Sequence, residues 1–546
     1  MRMNVRSLGS WFLLPVVALS GLAAPSGDLR LVDAAKQRDK EAIELLLQQK
    51  TDVNAAQPDG ATALHWAAHW DDLATAELLI RAGANVNAAN DYGVAPLFLA
   101  CTNANAAMVE TLLKAGASAN ASLPTGETVL MTCARAGGVD AVKSLLTRGA
   151  EVDAKDPGKG QTALMWAVAQ KHSEVAQALI EHGADVHARS KGGFTPLLFA
   201  ARTGDVDSAR VLLAAGANVN EAMPVESKRA ALRDAYGQIA PDAPAPRPQG
   251  EAPQGEPEEG PTGSMTPLLM ASASGHEELA IFLLENGADP NAVDSGGATA
   301  LHYTVLKGIA SMNGVSLANY VSYLFRPSMP ELVKALLAHG ANPDARITKG
   351  VSVAGGRGGA AAGATPFLLA AAASDALVMR ILAEKGASPL LATKESLTPL
   401  AAAAGVGRVQ DFNEAEERAA LEAVKLAVEL GADVNAANST GRTALHGATN
   451  LGGNAIIQFL WEKGANLDVR DKYQQTPLSI ASGVHLPWTP KGEELGEVVR
   501  KSTAELLLKL GATPLDTPNY FTPMDQDSDV YKMNPRRSIP GVTIPQ

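Results

Sequence analysis

Three observations in the sequence predict an all-α repeat solenoid of about twelve helix–turn–helix units. A phrase of two leucine-like residues, two variable residues, Gly-Ala and usually an Asx residue recurs twelve times in the 546 residues. A second phrase, Thr followed by Pro or Ala and then usually Leu, stands ahead of most copies. The third observation is a constant period, since the glycines of five successive copies are 33 or 34 residues apart: Gly83, Gly116, Gly149, Gly183 and Gly216.

The first phrase marks the end of the second helix in each unit. Its leucines supply an apolar stripe, as Val211 and Leu212 do in the helix predicted over 206–215. The glycine that follows, such as Gly216, provides the left-handed conformation that ends a helix. Lys50 takes the place of this glycine in the first copy. The twelve copies occupy residues 45–54, 78–87, 112–120, 145–153, 179–187, 212–220, 283–291, 336–344, 381–389, 427–435, 459–468 and 506–514.

The second phrase marks the start of the first helix. Thr is a good N-cap, and Pro or Ala directly after it suits the first helical turn. Small pairs such as Ala67-Ala68 and Ala200-Ala201 let neighbouring first helices approach closely. Since no unit can bury its own apolar face, stability must come from stacking on neighbours. The threonines of this phrase are Thr62, Thr162, Thr195, Thr266, Thr299, Thr365, Thr398, Thr443 and Thr476.

Thr-Pro-Leu and Thr-Ala-Leu-His at a 33-residue period resemble the ankyrin repeat, over roughly residues 28–514. The resemblance implies an ankyrin-repeat solenoid in which β-turn fingers join the helix pairs. It also implies that a protein partner binds the concave face and the finger tips.

Composition and charge limit the class of partner. Of the residues, 46% are hydrophobic, 4% aromatic and 19% charged, which is ordinary for a soluble globular protein. The net charge of −12 and the pI near 5.4 argue against a nucleic-acid binder, because phosphate binding needs concentrated positive charge. An acidic concave surface instead favours a protein ligand with some basic character.

The amino terminus has the layout of a secretory signal peptide over residues 1–23. Arg2 and Arg6 precede an apolar run over 11–22 that is too short to span a bilayer, and small residues follow at 21–23. We therefore expect an exported protein, periplasmic or secreted, that begins near Ala24 and has no stable membrane insertion after cleavage.

Insertions divide the repeats into two blocks, residues 28–221 and 265–514. Between them lies a Pro/Gly/Glu-rich segment over 222–264, whose composition predicts disorder. Residues 515–546 are expected to form an extended tail. Four shorter insertions fall within the second block, one as a finger extension and three between the two helices of a repeat: 347–363, 309–329, 406–414 and 484–500.

Candidate chemistry is sparse, and the sequence predicts no catalytic residue, cofactor or metal site. Residues 358–365 have the glycine spacing of a phosphate-binding loop, but Ala364 replaces its lysine. His276 and Glu277 begin like a zinc-protease helix, but Ala280 stands where the second histidine is needed. The histidines shared by one repeat position are interpreted as structural: His65, His302 and His446.

The two cysteines, Cys101 and Cys133, fall in the first helices of adjacent repeats. Packed helices sit about 8–10 Å apart, whereas the Cα atoms of a disulfide are about 4.4–6.8 Å apart. This comparison favours buried free thiols over a disulfide.

The resemblance places the partner-binding residues after the small pair of each first helix and at the finger tips. Trp, Tyr and Arg dominate interface energies, although Trp70 is also consistent with a purely local packing contact. The large residues before the small pair, such as Trp66 and Trp166, are interpreted as inter-repeat packing. The predicted binding residues are His69, Trp70, Tyr92, Arg135, Lys159, Lys191 and Arg202.

The function predicted from these observations is that of a non-catalytic, exported and monomeric scaffold that binds a protein partner. Two alternatives stay open. One is a secreted effector that targets a host protein, and the other is an enzyme subunit whose site lies in an insertion.

Overall fold

The computed structural model describes residues 28–223, 265–305, 329–348, 362–408, 411–483 and 500–514. The predicted signal peptide, the 222–264 insertion beyond Met223 and the tail beyond Pro514 lie outside these residues. Contacts divide the chain into two compact units, Met1–Lys191 and Gly192–Gln546. The sequence analysis instead places the boundary between its blocks at the insertion.

Twenty-four helices occupy the described residues and form twelve consecutive pairs, which confirms the predicted all-α repeat array. The odd-numbered helix of each pair is the first helix of a repeat and the even-numbered one is the second. The first unit contains α1 Arg30–Gln37, α2 Lys40–Gln48, α3 Ala63–His69, α4 Leu73–Arg81, α5 Pro96–Thr102, α6 Ala106–Lys114, α7 Val129–Ala136, α8 Val139–Thr147, α9 Ala163–Ala169 and α10 Ser173–Glu181. The second unit contains α11 Pro196–Thr203, α12 Val206–Ala214, α13 Pro267–Ser274, α14 Glu277–Glu285, α15 Ala300–Val305, α16 Pro330–Ala338, α17 Pro366–Ala372, α18 Ala376–Glu384, α19 Pro399–Ala403, α20 Glu414–Glu429, α21 Ala444–Asn450, α22 Asn454–Glu462, α23 Pro477–Ala481 and α24 Lys501–Leu510.

The helix ends follow the predicted chemistry. The hydroxyl of Thr162 accepts a hydrogen bond from the Met165 N–H of α9, and Thr365 caps α17 in the same way. After α12, Gly216 adopts a φ of +92°, the left-handed conformation that glycine tolerates best. Lys50 takes the same conformation, with φ +59°, where the first repeat lacks the glycine. Position in the repeat therefore fixes this backbone conformation even where the residue type does not favour it.

The core consists mainly of small and aliphatic side chains from both helices of each repeat. Ala67 and Ala68 are buried in α3, as are Ala200 and Ala201 in α11. Alanine at these positions leaves room for helices to lie close together, so the core needs few aromatic rings.

Cys101 and Cys133 form a disulfide, so the prediction of free thiols is wrong. Their Cα atoms are 4.4 Å apart, much closer than the usual distance between helix axes. The axis distance is a poor guide here because the two residues face each other across α5 and α7. Their neighbours, Ala100 and Ala134, are small and fully buried.

An asparagine ladder links successive repeats on the side of the second helices. Asn87 donates to the carbonyl oxygen of Gly116 (3.0 Å) and accepts from the N–H of Ser118 (2.9 Å). Among the residues that the structure describes, six asparagines form this ladder, each donating to the carbonyl of the next repeat's helix-ending glycine: Asn54, Asn87, Asn120, Asn220, Asn291 and Asn435.

The helices flank the insertions at the positions that the sequence indicates. The 309–329 and 484–500 segments fall between the two helices of a repeat, mostly outside the described residues. The described part of 406–414 packs on α21, where a Cβ on Gly447 would lie 2.7 Å from the Val406 nitrogen. Phe412 also donates its N–H to the Leu451 carbonyl. This insertion therefore adds to the packing of its own repeat against the next one.

Candidate partner-binding surface

The fingers of the first unit are turns held to one another by main-chain hydrogen bonds. Short antiparallel bridges close two of them, Ala56 with Thr62 and Ser122 with Thr128. The Asp91 N–H donates to the Asp59 carbonyl, and the Lys191 N–H donates to the Lys159 carbonyl, each at 2.8 Å. Because these bonds use only backbone atoms, the side chains at the tips can vary without loosening the finger row.

Close packing connects the fingers that these bonds do not join. Gly93 has a φ of +76°, and a Cβ there would lie 2.4 Å from Cδ of Pro124 in the next finger. The fingers of the first unit are thus in contact along the row, which gives a partner a firm surface.

An aromatic cluster lies at the end of α3 and contains two of the predicted binding residues, His69 and Trp70. Trp70 stacks on Trp66 with ring centroids 6.4 Å apart, and the His69 ring meets Trp70 edge-on at 4.6 Å. Trp70 Nε1 donates to the Lys36 carbonyl (3.2 Å), and the Lys36 ammonium lies 5.0 Å from the Trp66 ring centre. Trp70 nevertheless keeps 42% of its surface exposed, so local packing and an accessible ring coexist.

Arg135, at the end of α7, is held in place by three neighbours. Its guanidinium lies 3.2 Å from Glu127 Oε1 and 5.0 Å from the centre of the Trp166 ring in the next repeat. The carbonyl oxygen of Arg135 is 3.1 Å from His172 Nε2. The Glu127 carboxylate and the Trp166 ring together hold the partly exposed guanidinium of Arg135 in one position.

Tyr92, Lys159 and Lys191 lie on the fingers, away from the helix ends. Tyr92 is 62% exposed, and its N–H donates to Asn90 Oδ1. Lys159 and Lys191 are exposed on adjacent fingers joined by the backbone bond described above. The structure therefore brings these two lysines together.

Arg202 belongs to the second unit and forms a site of its own. Its guanidinium lies 4.9 Å from the Phe199 ring centre and 5.2 Å from that of Phe194. Desolvation lowers the pKa of Arg202, but a guanidinium stays protonated at neutral pH.

The shared histidines have the structural role that the sequence predicts. The Thr62 N–H donates to His65 Nδ1 (3.0 Å), while His65 Nε2 lies 2.9 Å from the Val94 carbonyl in the next finger. His302 and His446 make equivalent contacts. Burial lowers the pKa of His65, which favours the neutral ring that can accept at Nδ1 and donate at Nε2.

Sequence reasoning recognised the structural role of one connecting histidine and missed that of another. His276 Nε2 lies 3.0 Å from the Arg202 carbonyl, so the residue that begins like a zinc-protease motif is an inter-repeat contact. His172 does the same for Arg135 and was not singled out. The available signal is that both residues directly precede the second helix of their repeat.

No group of three or more His, Cys, Asp or Glu side chains in the part of the chain that the structure describes is arranged to hold a metal ion. None of the described helices is long and apolar enough to cross a membrane.

Paired helices, tied fingers and a row of accessible first-helix ends define a helical-repeat binding protein. Models described as "Ankyrin repeats (3 copies)" match residues 31–123, 130–223 and 412–487, and one described as "Ankyrin repeats (many copies)" matches 264–312. These ranges cover more than half of the chain. The chain therefore belongs to the ankyrin-repeat family, as the sequence analysis predicts.

The chain is similar to proteins that differ widely in length and in name. The chain is 26% identical over 324 residues to "E3 ubiquitin-protein ligase KEG" of Arabidopsis thaliana, covering 59% of this chain and 16% of that protein. It is 47% identical over 68 residues to human "Ankyrin repeat and KH domain-containing protein 1", covering 12% and 3%. With human "Protein phosphatase 1 regulatory subunit 27" it shares 41% identity over 59 residues, covering 11% and 38%. In each case the chain spans well under half of the relative's length.

Proposed function

We propose that this protein is a non-catalytic scaffold that binds a protein partner along the first-helix ends and fingers of its first unit, outside the cytosol. Its ankyrin repeats indicate protein binding as the general function. The observation that carries the choice of surface is the aromatic cluster of α3. It combines a 42% exposed Trp70 with a ring stack that fixes the orientation of the indole. A rigid aromatic side chain can bury a large area at little entropic cost.

Two observations support export. The residues at the amino terminus have the layout of a signal peptide. The buried Cys101–Cys133 disulfide is of a kind that persists in oxidising compartments and is rare in the cytosol. Thiol trapping in the native organism followed by mass spectrometry tests this part. We expect a linked Cys101–Cys133 peptide and a chain that begins near Ala24; alkylated thiols on a chain with intact residues 1–23 would contradict export.

The partner-binding part is tested with two matched tryptophan variants. Trp70 and Trp461 are similarly exposed, at 42% and 40%, but Trp461 lies on a second helix, α22, in the other unit. The wild type, Trp70→Ala and Trp461→Ala are each used for affinity capture from the native organism. We expect the wild type and Trp461→Ala to recover the partner and Trp70→Ala to lose it. Binding of the purified partner then gives the affinity directly.

The melting temperature separates binding from folding. Trp70→Ala also removes a ring stack and a hydrogen bond to the Lys36 carbonyl, so a moderate fall in stability is expected. Binding is therefore measured well below the melting temperature of each variant. Equal partner recovery with both variants would refute the assigned surface.

A further inference from the structure

The finger row of the first unit changes the sign of its charge along its length. The tips of its first three fingers carry acids, and those of the next two carry mainly basic residues on an otherwise acidic protein. The charged residues at the tips (57–61, 90–94, 123–127, 155–161 and 189–193) are, in chain order, Asp59, Asp91 and Glu127, followed by Lys155, Asp156, Lys159, Arg189 and Lys191.

Hydrogen bonds hold the three lysines, termed here the lysine cluster, on two adjacent fingers. Lys155 Nζ donates to the Arg189 carbonyl (3.0 Å), and Lys191 Nζ donates to the Pro157 carbonyl (2.6 Å). A main-chain bond of 2.8 Å from Lys191 to the Lys159 carbonyl joins the same fingers. The ammonium groups of Lys155 and Lys191 are therefore each held against the neighbouring finger, and the exposed Lys159 belongs to the same pair of joined fingers.

The ammonium groups of the lysine cluster are not paired with a carboxylate. Asp156, the acid at these two finger tips, is buried, and its two oxygens accept the N–H groups of Lys159 and Gln161. The other acids of the two fingers lie nearer to the helix-ending glycines: Glu151, Asp153 and Asp185. Across the part of the chain that the structure describes, none of the three ammonium groups forms an ion pair. An ammonium carries three donors, so Lys155 and Lys191 each keep N–H groups for another acceptor after their carbonyl bond.

We propose that the lysine cluster binds a carboxylate-rich segment of the protein partner. This inference rests on the proposed function and specifies the chemistry of one end of its surface. It departs from the expectation of a basic partner, because local charge at an interface matters more than the net charge of −12. That net charge also disfavours nucleic acid, whose long line of phosphates would meet the acidic fingers beside the cluster.

The test uses a fluorescein-labelled deca-glutamate peptide as the probe, with the full-length protein in fluorescence anisotropy. The test variant combines three substitutions that remove the charges of the lysine cluster: Lys155→Gln, Lys159→Gln and Lys191→Gln. The control variant removes the same charge from three exposed lysines of second helices: Lys40→Gln, Lys114→Gln and Lys143→Gln. Melting temperatures of both confirm folding.

We expect the cluster variant to weaken peptide binding about tenfold or more, since each exposed ion pair contributes a factor of about two to three. The control variant should change it by less than about twofold, and higher salt should weaken wild-type binding. Equal loss in both variants, or no binding by the wild type, would overturn the inference. Tighter binding of a ten-residue oligothymidylate than of the peptide would overturn the assignment to a protein segment.

The outcomes for the two proposals are separable. A captured partner that depends on Trp70 but not on the lysine cluster leaves the proposed function standing and rejects this inference. If the peptide binds through the lysine cluster but no captured partner depends on Trp70, the inference about charge is supported and the proposed surface at α3 is rejected.

Discussion

Removing the Cys101–Cys133 disulfide should destabilise the first unit by about 3–4 kcal/mol. The bond joins residues 32 positions apart, and closing a loop of that length lowers the entropy of the unfolded chain by this amount in the chain-entropy description. The loop spans the repeats of α5–α6 and α7, so the effect should be concentrated there. Neighbouring repeats should feel it through their shared interfaces.

Urea unfolding of three species tests this prediction: the oxidised wild type, the reduced wild type, and the double variant Cys101→Ala with Cys133→Ala. The reduced protein separates loss of the cross-link from loss of the buried sulfur atoms. Hydrogen exchange on the same species locates the change, because repeat arrays need not unfold in one step. A midpoint for the oxidised protein equal to that of the double variant would refute the reasoning, and two titratable thiols per native chain would refute the pairing.

Three further predictions concern stability. Asn87→Ala removes two inter-repeat hydrogen bonds and should cost about 1–2 kcal/mol in urea unfolding, whereas a cost below about 0.3 kcal/mol would show that water replaces them. Gly204→Ala should lower the melting temperature more than Gly216→Ala: both glycines have positive φ, but only a Cβ on Gly204 would meet a neighbour, 2.4 Å from His276 Nδ1. Equal losses would discount that contact. Burial lowers the pKa of His302 to about 4, so the unfolded state binds a proton first as pH falls below about 6.5. The wild type should therefore lose up to about 3 kcal/mol relative to His302→Gln between pH 6.5 and 4, and parallel pH profiles in urea would contradict this.

The repeat array could be predicted from the sequence because short-range interactions within each repeat determine where its helices begin and end. Thr162 specifies a helix start, and Gly216 a helix end, through interactions within a few residues. Repetition then confirms each local signal many times over. The shared histidines were predicted for the same reason, since His65 bonds within its own Thr-x-x-His phrase.

The features that could not be predicted from the sequence depend on distances between side chains or backbone atoms of different repeats. The Cys101–Cys133 pairing depends on side chains that face each other across two helices, and an average helix spacing cannot express that. Lys159 and Lys191 were predicted as binding residues of separate finger tips, but their grouping with Lys155 depends on lysine side chains that reach carbonyls 34 positions away. His172 was missed because its acceptor is a backbone carbonyl, which leaves no pattern of paired residue types.

The Asn220 contact shows that the largest insertion does not alter how its two flanking repeats stack. Asn220 donates to the Gly287 carbonyl across 67 positions, as Asn87 does to Gly116 across 29. The Met223 N–H also bonds to the Met265 carbonyl at 3.0 Å, so the two ends of the intervening segment meet. A segment whose ends are already joined can be exchanged at little cost in loop-closure entropy. This position is therefore a natural place to insert a reporter domain, giving a labelled protein whose repeats and finger row are unchanged.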